Sequence, residues 1–392
     1  MIELLAPAGD LEKLKIALLY GADAVFIGGT NFSLRARASN FTLEDIQDAT
    51  SFAHERGKKV YVTTNIIPHN EDMDGLIEYL KGLEERKVDA IISASPYIID
   101  MALKHTSLEV HLSTQQSASN TETVNYWHEL GIKRIVLARE LDKHQIRRLK
   151  EKTKADIEVF IHGGMCMSYS GRCSLSNNMT DRDANRGGCA HSCRWNYDLT
   201  ADGASVSNNS FSMSSKDLEA LEQIPHLIDS KVSSLKIEGR MKSLHYIATV
   251  VSTYRKLIDD YLLFGKIDDF NPYLIELQKA ENRLTSHGYL EGLPGVEEQL
   301  FNKVSEKPTQ LFVGLIQGYD QQTGLTTIEQ RNYFGVGDEL EVFSPDGSVR
   351  DFKLTYMTDE KDTETSIARH PQQILKIKIP FSVEPYAMIR KK

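Results

Sequence analysis

Along roughly the first 265 residues, short apolar runs alternate with longer segments in which apolar residues recur every three or four positions. The short runs are rich in β-branched and apolar residues, which is typical of buried strands, and the longer segments are typical of amphipathic helices. Strands are predicted at 2–6, 23–27, 59–64, 88–93, 108–113, 132–138, 156–161 and 232–238. Helices are predicted at 10–20, 43–56, 72–86, 96–105, 121–130, 141–152 and 242–264.

This repeated order of strand and helix implies a parallel sheet with right-handed crossovers. Eight units in about 260 residues fit a closed (β/α)8 TIM-like barrel better than an open doubly wound sheet, which would leave an edge. The open sheet is kept as the alternative. Because barrel active sites lie at the carboxyl ends of the strands, we expect a polar pocket there.

The pattern changes after residue 265. The segment 266–307 is charged and contains proline, which predicts a helical linker. From 308 to 392 short strands recur with turn signals about every ten residues, which predicts a small all-β domain, a β-barrel with a sandwich as the alternative. The barrel is therefore expected over 1–265 and the β domain over 308–392.

The barrel rhythm is interrupted between the seventh and eighth strands. A loop at about 163–195 carries all four cysteines of the chain, and an alternating segment at 195–215 predicts a hairpin with an Asp-Gly turn. Loops of this length inside a compact domain are usually functional. We therefore place the candidate chemistry of the protein in this loop and at the adjacent strand ends.

Composition restricts what the cysteines do. The formal net charge is −9, so any RNA contact must come from a local basic patch, for which the loop arginines and the Arg390-Lys391-Lys392 tail are candidates. Neither a signal peptide nor a long apolar run is found, and we expect a soluble cytoplasmic protein with no membrane partner. Disulfides are rare in that reducing compartment, which leaves metal binding or redox chemistry.

Six, fifteen and three residues separate Cys166, Cys173, Cys189 and Cys193. Four thiolates suit either a tetrahedral zinc ion or a four-iron cluster. The spacing leaves zinc, an iron–sulfur cluster and free redox thiols open, with His191 as a further candidate ligand.

The segment "EVFIHGGMCMSYSGRCSLS" resembles the signature of the peptidase U32, or collagenase-like peptidase, family. Further similarity lies in "LLAPAGDLEKLKIALLYGADAVFIGG", "SLRARASNF", "NRGGCAHSCRW", "SSKDL" and "LKIEGRMKS". Despite the family name, its characterised members are largely oxygen-independent hydroxylation proteins that act on the tRNA wobble uridine, ribosomal RNA or the ubiquinone ring. The resemblance implies a 4Fe-4S cluster on the four cysteines, with prephenate as a co-substrate.

Prephenate is a dicarboxylate, so its pocket is expected to present groups that bind carboxylates. The candidates from the strand ends and the loop are Arg35, Arg37, Gln115, Arg139, Arg172, Arg194 and Arg240. His162, Glu140 and Glu238 are the candidate proton-transfer groups.

The function expected from this resemblance is formation of 5-hydroxyuridine in tRNA, with tRNA and a small anionic ligand as partners. Ribosomal RNA hydroxylation, a noncatalytic RNA-binding role with a structural metal, and help from a second family member stay open. Peptidase activity is the remaining alternative. It is poorly matched, because the chain has neither a Gly-x-Ser-x-Gly nor a His-Glu-x-x-His motif and nucleophilic catalysis needs only one thiol.

Overall fold

The structure, a computed structural model, describes residues 2–34, 40–206, 210–280, 283–301 and 309–392. Strands β1 to β8 are Glu3–Pro7, Ala24–Gly28, Lys59–Thr64, Ala90–Ser93, Glu109–Leu112, Arg134–Val136, Asp156–Gly163 and Ser234–Ile237. Each strand pairs in parallel with the next, and β8 also pairs with β1, which closes the sheet. The predicted (β/α)8 barrel is confirmed, and the open sheet is wrong.

Helices surround the barrel. Helices α1 to α6 follow the first six strands and are Leu11–Leu19, Leu43–His54, Leu76–Glu85, Pro96–His105, Thr121–Glu129 and Lys143–Lys150. Helix α7 is Leu175–Thr180 in the cysteine loop, and α8 to α10 are Ile224–Asp229, Leu244–Phe264 and Asn271–Leu277. The six residues of α8 were not predicted, since so short a segment shows no helical period. No helix within the described ranges is both long and apolar enough to cross a bilayer.

The caps of these helices follow from their flanking residues. The side chains of Asp10, Ser95, Asn120 and Asp142 accept hydrogen bonds from first-turn amides of α1, α4, α5 and α6. Helix α9 ends at Gly265, whose φ of 72° suits glycine at a helix C-terminus. Flanking residues therefore mark the start of four of these helices and the end of α9.

The inside of the barrel contains charged groups as well as apolar ones. Lys236 and Arg134 lie 2.7 Å and 3.4 Å from the buried carboxylate of Glu158, and Arg134 also pairs with Glu3. Burial raises the pKa of Glu158, but the positive charges of Lys236 and Arg134 outweigh it and hold that pKa below its ordinary value. Buried positive and negative side chains therefore neutralise one another inside the barrel, beneath its mouth.

The C-terminal part is an antiparallel sheet. Its strands, β9 to β15, are Leu311–Tyr319, Leu325–Gln330, Glu339–Phe343, Val349–Lys353, Met357–Asp359, Ile374–Lys378 and Met388–Lys391. They pair in the order β12-β11-β15-β9-β10-β14-β13 and build their own hydrophobic core. The predicted all-β domain is confirmed, while its predicted start at 308 lies outside the described residues.

The last strand corrects one expectation. Strand β15 lies inside the sheet, and Arg390 is fully buried against the barrel, where it pairs with Glu276 at 2.7 Å and Glu341 at 3.1 Å. The prediction that Arg390 contributes to an exposed basic tail is wrong, because its guanidinium joins the two domains. Lys391 and Lys392 each pair with an aspartate of the same domain, Asp338 and Asp351.

Candidate active site at the barrel mouth

A cavity of about 200 Å³ opens at the carboxyl ends of the barrel strands. Its wall combines strand-end residues with two residues of the cysteine loop, Cys166 and Gly171. The other lining residues are Phe26, Leu34, Thr63, Asn65, Ile92, Ser113, Thr114, Gln115, Val136, Arg139, Phe160, Lys236, Glu238 and Arg240. The loop therefore lies over the end of the barrel where active sites of this fold are found.

Lys236 brings positive charge to this cavity. Its ammonium group lies 4.6 Å from the centre of the Phe26 ring and 5.4 Å from that of Phe160, and it pairs with Glu158 below. The residue is only 4% exposed. A buried cation between two aromatic faces is held in one place, which suits recognition of an anion above it.

Two arginines add to this charge. The guanidinium of Arg240 donates to the Ser33 hydroxyl and the Leu34 carbonyl, each at 3.2 Å. The space it occupies depends on Gly28 at the end of β2, since a Cβ atom there would collide with the guanidinium. Arg139 lies over the Phe160 ring at 3.9 Å. Among the described residues that line the cavity, Lys236, Arg139 and Arg240 are basic and Glu238 is acidic.

The cysteine loop is tied to the barrel by hydrogen bonds from single side chains. Glu140, just after β6, accepts from the Ser170 amide at 2.6 Å and the Ser170 hydroxyl at 2.5 Å. Ser170 has a φ of 46°, a conformation that a serine rarely adopts without such contacts. In this structure Glu140 is an anchor of the loop, and both of its carboxylate oxygens are occupied.

Other side chains fix the segment around the cysteines. Asn185 accepts from the backbone N–H of Cys173 at 3.3 Å and donates to its carbonyl at 3.0 Å. Arg186 makes a two-point ion pair with Asp72, through Nε at 2.9 Å and Nη2 at 2.7 Å. Arg182 donates to the Cys189 carbonyl at 3.2 Å. Side chains, and not pairing with the barrel strands, thus position the backbone around the cysteines.

The four cysteines are all free, and each is at least partly accessible. Burial raises the pKa of the Cys193 thiol, Arg194 lowers it, and charge on Cys166, Cys189 and Cys173 raises it further. All three other thiols are therefore near Cys193. Within the described ranges, no three His, Cys, Asp or Glu side chains are arranged around a single metal ion. Four thiols in one loop supply the soft donors that a zinc ion or an iron–sulfur cluster takes in proteins.

Arginine side chains lie beside Gly164, at the start of the loop. A Cβ atom on Gly164 would be 3.3 Å from Nη2 of Arg194 and 3.4 Å from Nη2 of Arg283. Burial lowers the pKa of Arg194, and the neighbouring charge of Arg283 lowers it further. Arg283 itself pairs with Asp217 at 2.5 Å. The charge of Arg194 opposes the effect of burial on Cys193, whose pKa nevertheless stays above its ordinary value.

The predicted site residues are only partly brought together. Gln115, Arg139, Glu238, Arg240 and Cys166 line the cavity, and Arg194 lies beside the thiols. Arg35 and Arg37 lie outside the described residues.

His162 and Arg172 lie elsewhere. His162 is buried against α9, with Nδ1 3.2 Å from the Tyr254 hydroxyl, and is not among the cavity residues, since at its position β7 faces the helices. Arg172 donates to the Gln115 carbonyl at 2.7 Å and faces a neighbouring groove.

Sequence reasoning missed three residues of this site. Lys236 was overlooked although a lysine inside the apolar run of β8 signals an inward-facing charge. Asn65, just after β3, donates to the Gln115 side chain at 3.1 Å and was not among the predicted site residues. Arg283 reaches the cysteine loop from about ninety positions further along the chain, and no local pattern marks it.

Comparison with known proteins agrees with this arrangement. Residues 9–300 match peptidase family U32, and residues 308–390 match the peptidase family U32 C-terminal domain. The chain belongs to peptidase family U32.

Three relatives differ in coverage and name. The chain is 52% identical to tRNA hydroxylation protein P1 of Bacillus subtilis, over 99% of this chain and 94% of that protein. It is 40% identical to a 23S rRNA 5-hydroxycytidine synthase of Escherichia coli, over 66% of this chain and 39% of that protein. A protein of Porphyromonas gingivalis named collagenase is 30% identical, with 92% of each chain covered.

Proposed function

We propose that this protein is an RNA-modifying enzyme that hydroxylates carbon 5 of the wobble uridine in tRNA. The similarity to tRNA hydroxylation protein P1 extends through the barrel and the β domain. That to the ribosomal RNA enzyme covers 66% of this chain and 39% of the enzyme, which favours tRNA as the substrate.

The observation that carries the proposal is the position of Cys166. It lines the small cavity at the barrel mouth and is one of four neighbouring free thiols. Replacing C–H by C–OH is an oxidation, so a redox group must lie close to the base that reacts. Peptide hydrolysis needs no redox group and leaves three of the four thiols without a role.

Cys166, Cys173, Cys189 and Cys193 are proposed to hold a 4Fe-4S cluster. When bound, such a cluster supplies one-electron redox chemistry at the edge of the cavity. A zinc ion has no redox chemistry and is the less suitable occupant. The side chains of Asn185 and Glu140 would keep the loop in position for this ligation, and Arg194 and Arg283 would balance the thiolate charge.

The cavity is proposed to bind the carboxylates of prephenate. Lys236, Arg139 and Arg240 line it, and among the described lining residues Glu238 alone carries the opposite charge. An electropositive cavity of about 200 Å³ suits a small dianion that must lie beside the target base. Glu238 is the lining group available to accept or donate a proton.

The test is nucleoside mass spectrometry of tRNA from a strain that lacks this gene and any paralogue. We expect 5-hydroxyuridine and its derivatives to disappear and to return with the wild-type gene. Arg139→Gln should restore little of the modification, whereas Arg148→Gln, an exposed arginine on α6, should restore it fully. Persistence of 5-hydroxyuridine would reject the tRNA assignment, and loss of a ribosomal 5-hydroxycytidine would replace it.

A further inference from the structure

A second and larger cavity, of about 920 Å³, lies beside the barrel mouth. It is a groove between the segment after β3, the start of α4 and the cysteine loop. The groove is lined by Ile67, Pro68, His69, Asn70, Met73, Ala94, Ser95, Pro96, Tyr97, Gln116, Arg172, Asn177, Asp183 and Asn185. None of the chemistry proposed above uses it.

The groove and the inner cavity share one wall. Arg172 donates through Nε to the Gln115 carbonyl at 2.7 Å, and Nη2 lies 3.4 Å from the Gln116 side-chain oxygen. Gln115 lines the inner cavity, while Gln116 and Arg172 line the groove. Two adjacent units of one extended ligand would therefore lie on either side of this wall, one at the mouth of the inner cavity and one in the groove.

The groove combines a flat aromatic face with polar edges. Tyr97 is 54% exposed although it is a large aromatic residue at the start of α4. Asn70 is exposed, and Asn177 accepts from the Ala184 amide at 3.1 Å, with no described residue accepting from its amino group. A side-chain amide both donates and accepts, as the edge of a nucleobase does, and an exposed ring suits base stacking.

The charge in the groove is consistent with a nucleotide. Arg172 is exposed and lies where a phosphate joining the two units would pass. Asp183 is the acidic residue among the described residues of the groove. Its side chain turns to its own loop and accepts from the backbone N–H of Asn185 at 2.9 Å. An acidic or purely apolar peptide would find fewer complementary groups here.

We infer that this groove binds the unpaired nucleotide next to the target uridine, with its base stacked on Tyr97 and its phosphate near Arg172. The inference rests on the proposed function, because it takes the substrate to be an RNA loop whose target base lies at the mouth of the inner cavity. It adds a stacking residue that selects single-stranded RNA.

The first test measures binding of a fluorescein-labelled anticodon stem-loop by the anaerobically purified full-length protein. Tyr97→Ala should weaken binding about tenfold or more, the range of one base–aromatic stack, while Tyr97→Phe should retain it. The matched control is Tyr126→Ala, which removes a tyrosine of similar exposure, 58%, from α5. Equal affinity of Tyr97→Ala and wild type, or an equal loss in the control, would overturn the inference.

The second test removes the base instead of the ring. A stem-loop that lacks the base on one side of the target uridine should bind wild type about tenfold more weakly, with no further loss in Tyr97→Ala. Additive losses on both sides of the target would show that Tyr97 stacks on neither base and overturn the inference. A gelatin peptide that displaces the RNA from wild type but not from Tyr97→Ala would assign the groove to a peptide and also overturn it.

Different results would reject the proposed function and the assignment of the groove to a nucleotide. If wild type does not bind the stem-loop and the deletion strain keeps its 5-hydroxyuridine, the proposed function is wrong. If wild type binds and modifies tRNA while Tyr97→Ala does both equally well, only the groove assignment is wrong.

Discussion

The barrel and the cysteine loop on its mouth are held together in different ways. The barrel is closed by a continuous ladder of eight parallel strands and is packed inside and out by buried residues. The loop is fixed mainly by separate contacts of Glu140, Asn185 and Arg186. Many hydrogen bonds of the strand ladder hold the barrel together. A single substitution, by contrast, removes each of the side-chain contacts that hold the loop.

This contrast separates stability from chemistry. The barrel supplies a rigid rim of strand ends, and the loop brings the thiols to that rim. Changes in the loop should therefore abolish function and leave the fold, while changes to buried charges in the barrel should lower the stability of the fold.

The largest functional effect is expected from Cys189→Ser. The loss of one thiolate should remove the bound iron and abolish tRNA hydroxylation, because the cluster requires all four ligands. Iron and sulfide analysis after anaerobic purification gives the readout, beside urea unfolding of the iron-free proteins. The iron-free variant should unfold at the wild-type urea concentration, since Cys189 is exposed. A stoichiometric zinc content in wild type would contradict the cluster.

The largest loss of stability is expected from Glu158→Ala inside the barrel. The change leaves Lys236 and Arg134 buried without this carboxylate, and breaking such a pair typically costs about 3–5 kcal/mol. Urea unfolding measures the loss, with the exposed Glu151→Ala as the control. A change below about 1 kcal/mol would mean that the network adds little to the barrel.

The fold was largely predictable from the sequence because its signals are local and repeated. Each strand of the barrel is a short apolar run, and most of the longer helices have a period and a cap that can be recognised within about ten residues. The hairpin turn at Asp202-Gly203 was predicted for the same reason, and the structure has both residues at positive φ between two paired strands.

The site was less predictable because it is assembled from distant parts of the chain. Residue type and position suggested Arg240 and Gln115 as site residues. They did not indicate that Glu140 would accept a hydrogen bond from Ser170 or that His162 would face α9. A side chain at a strand end can turn inward, outward or toward a loop, and tertiary packing decides among these. Arg390 shows the same limit, since a basic C-terminus gives no sign that its strand lies inside a sheet.

An intermediate effect is expected from Glu140→Ala, which removes the anchor of Ser170. The loss leaves a partly buried amide unsatisfied, which costs about 1–3 kcal/mol and should loosen the loop. Iron content and hydroxylation should fall several-fold without a change in barrel unfolding.

Glu140→Gln distinguishes an anchor from a proton-transfer group. Glutamine keeps an oxygen that can accept from the Ser170 amide but cannot transfer a proton as a carboxylate does. If Glu140 is a positioning residue, Glu140→Gln should retain most iron and activity. Full iron content with no hydroxylation in Glu140→Gln would instead make Glu140 a proton-transfer group.

The smallest effect is expected at Glu109, on the barrel strand β5. Its carboxylate lies 2.8 Å from both His111 Nε2 and Lys133 Nζ. Burial acts to raise the pKa of Glu109, but these two hydrogen-bonded partners outweigh it and lower the pKa to about 2. Since this pKa is depressed in the folded state, the charge stabilises the protein above about pH 4.5, and the contribution is lost as the pH falls toward 2.

Glu109→Gln should therefore be less stable than wild type at pH 7, and the gap should close as the pH is lowered toward 3. We expect a gap of about 1 kcal/mol or less, because Glu109 and Lys133 are partly exposed and water screens their interaction. Urea unfolding between pH 7 and pH 3 measures this difference in stability. Lys133→Met is the control, because it removes the more exposed of the two partners of Glu109. A gap that widens at low pH would show that the folded protein binds the Glu109 proton more tightly than the unfolded chain, opposite to the barrel chemistry described here.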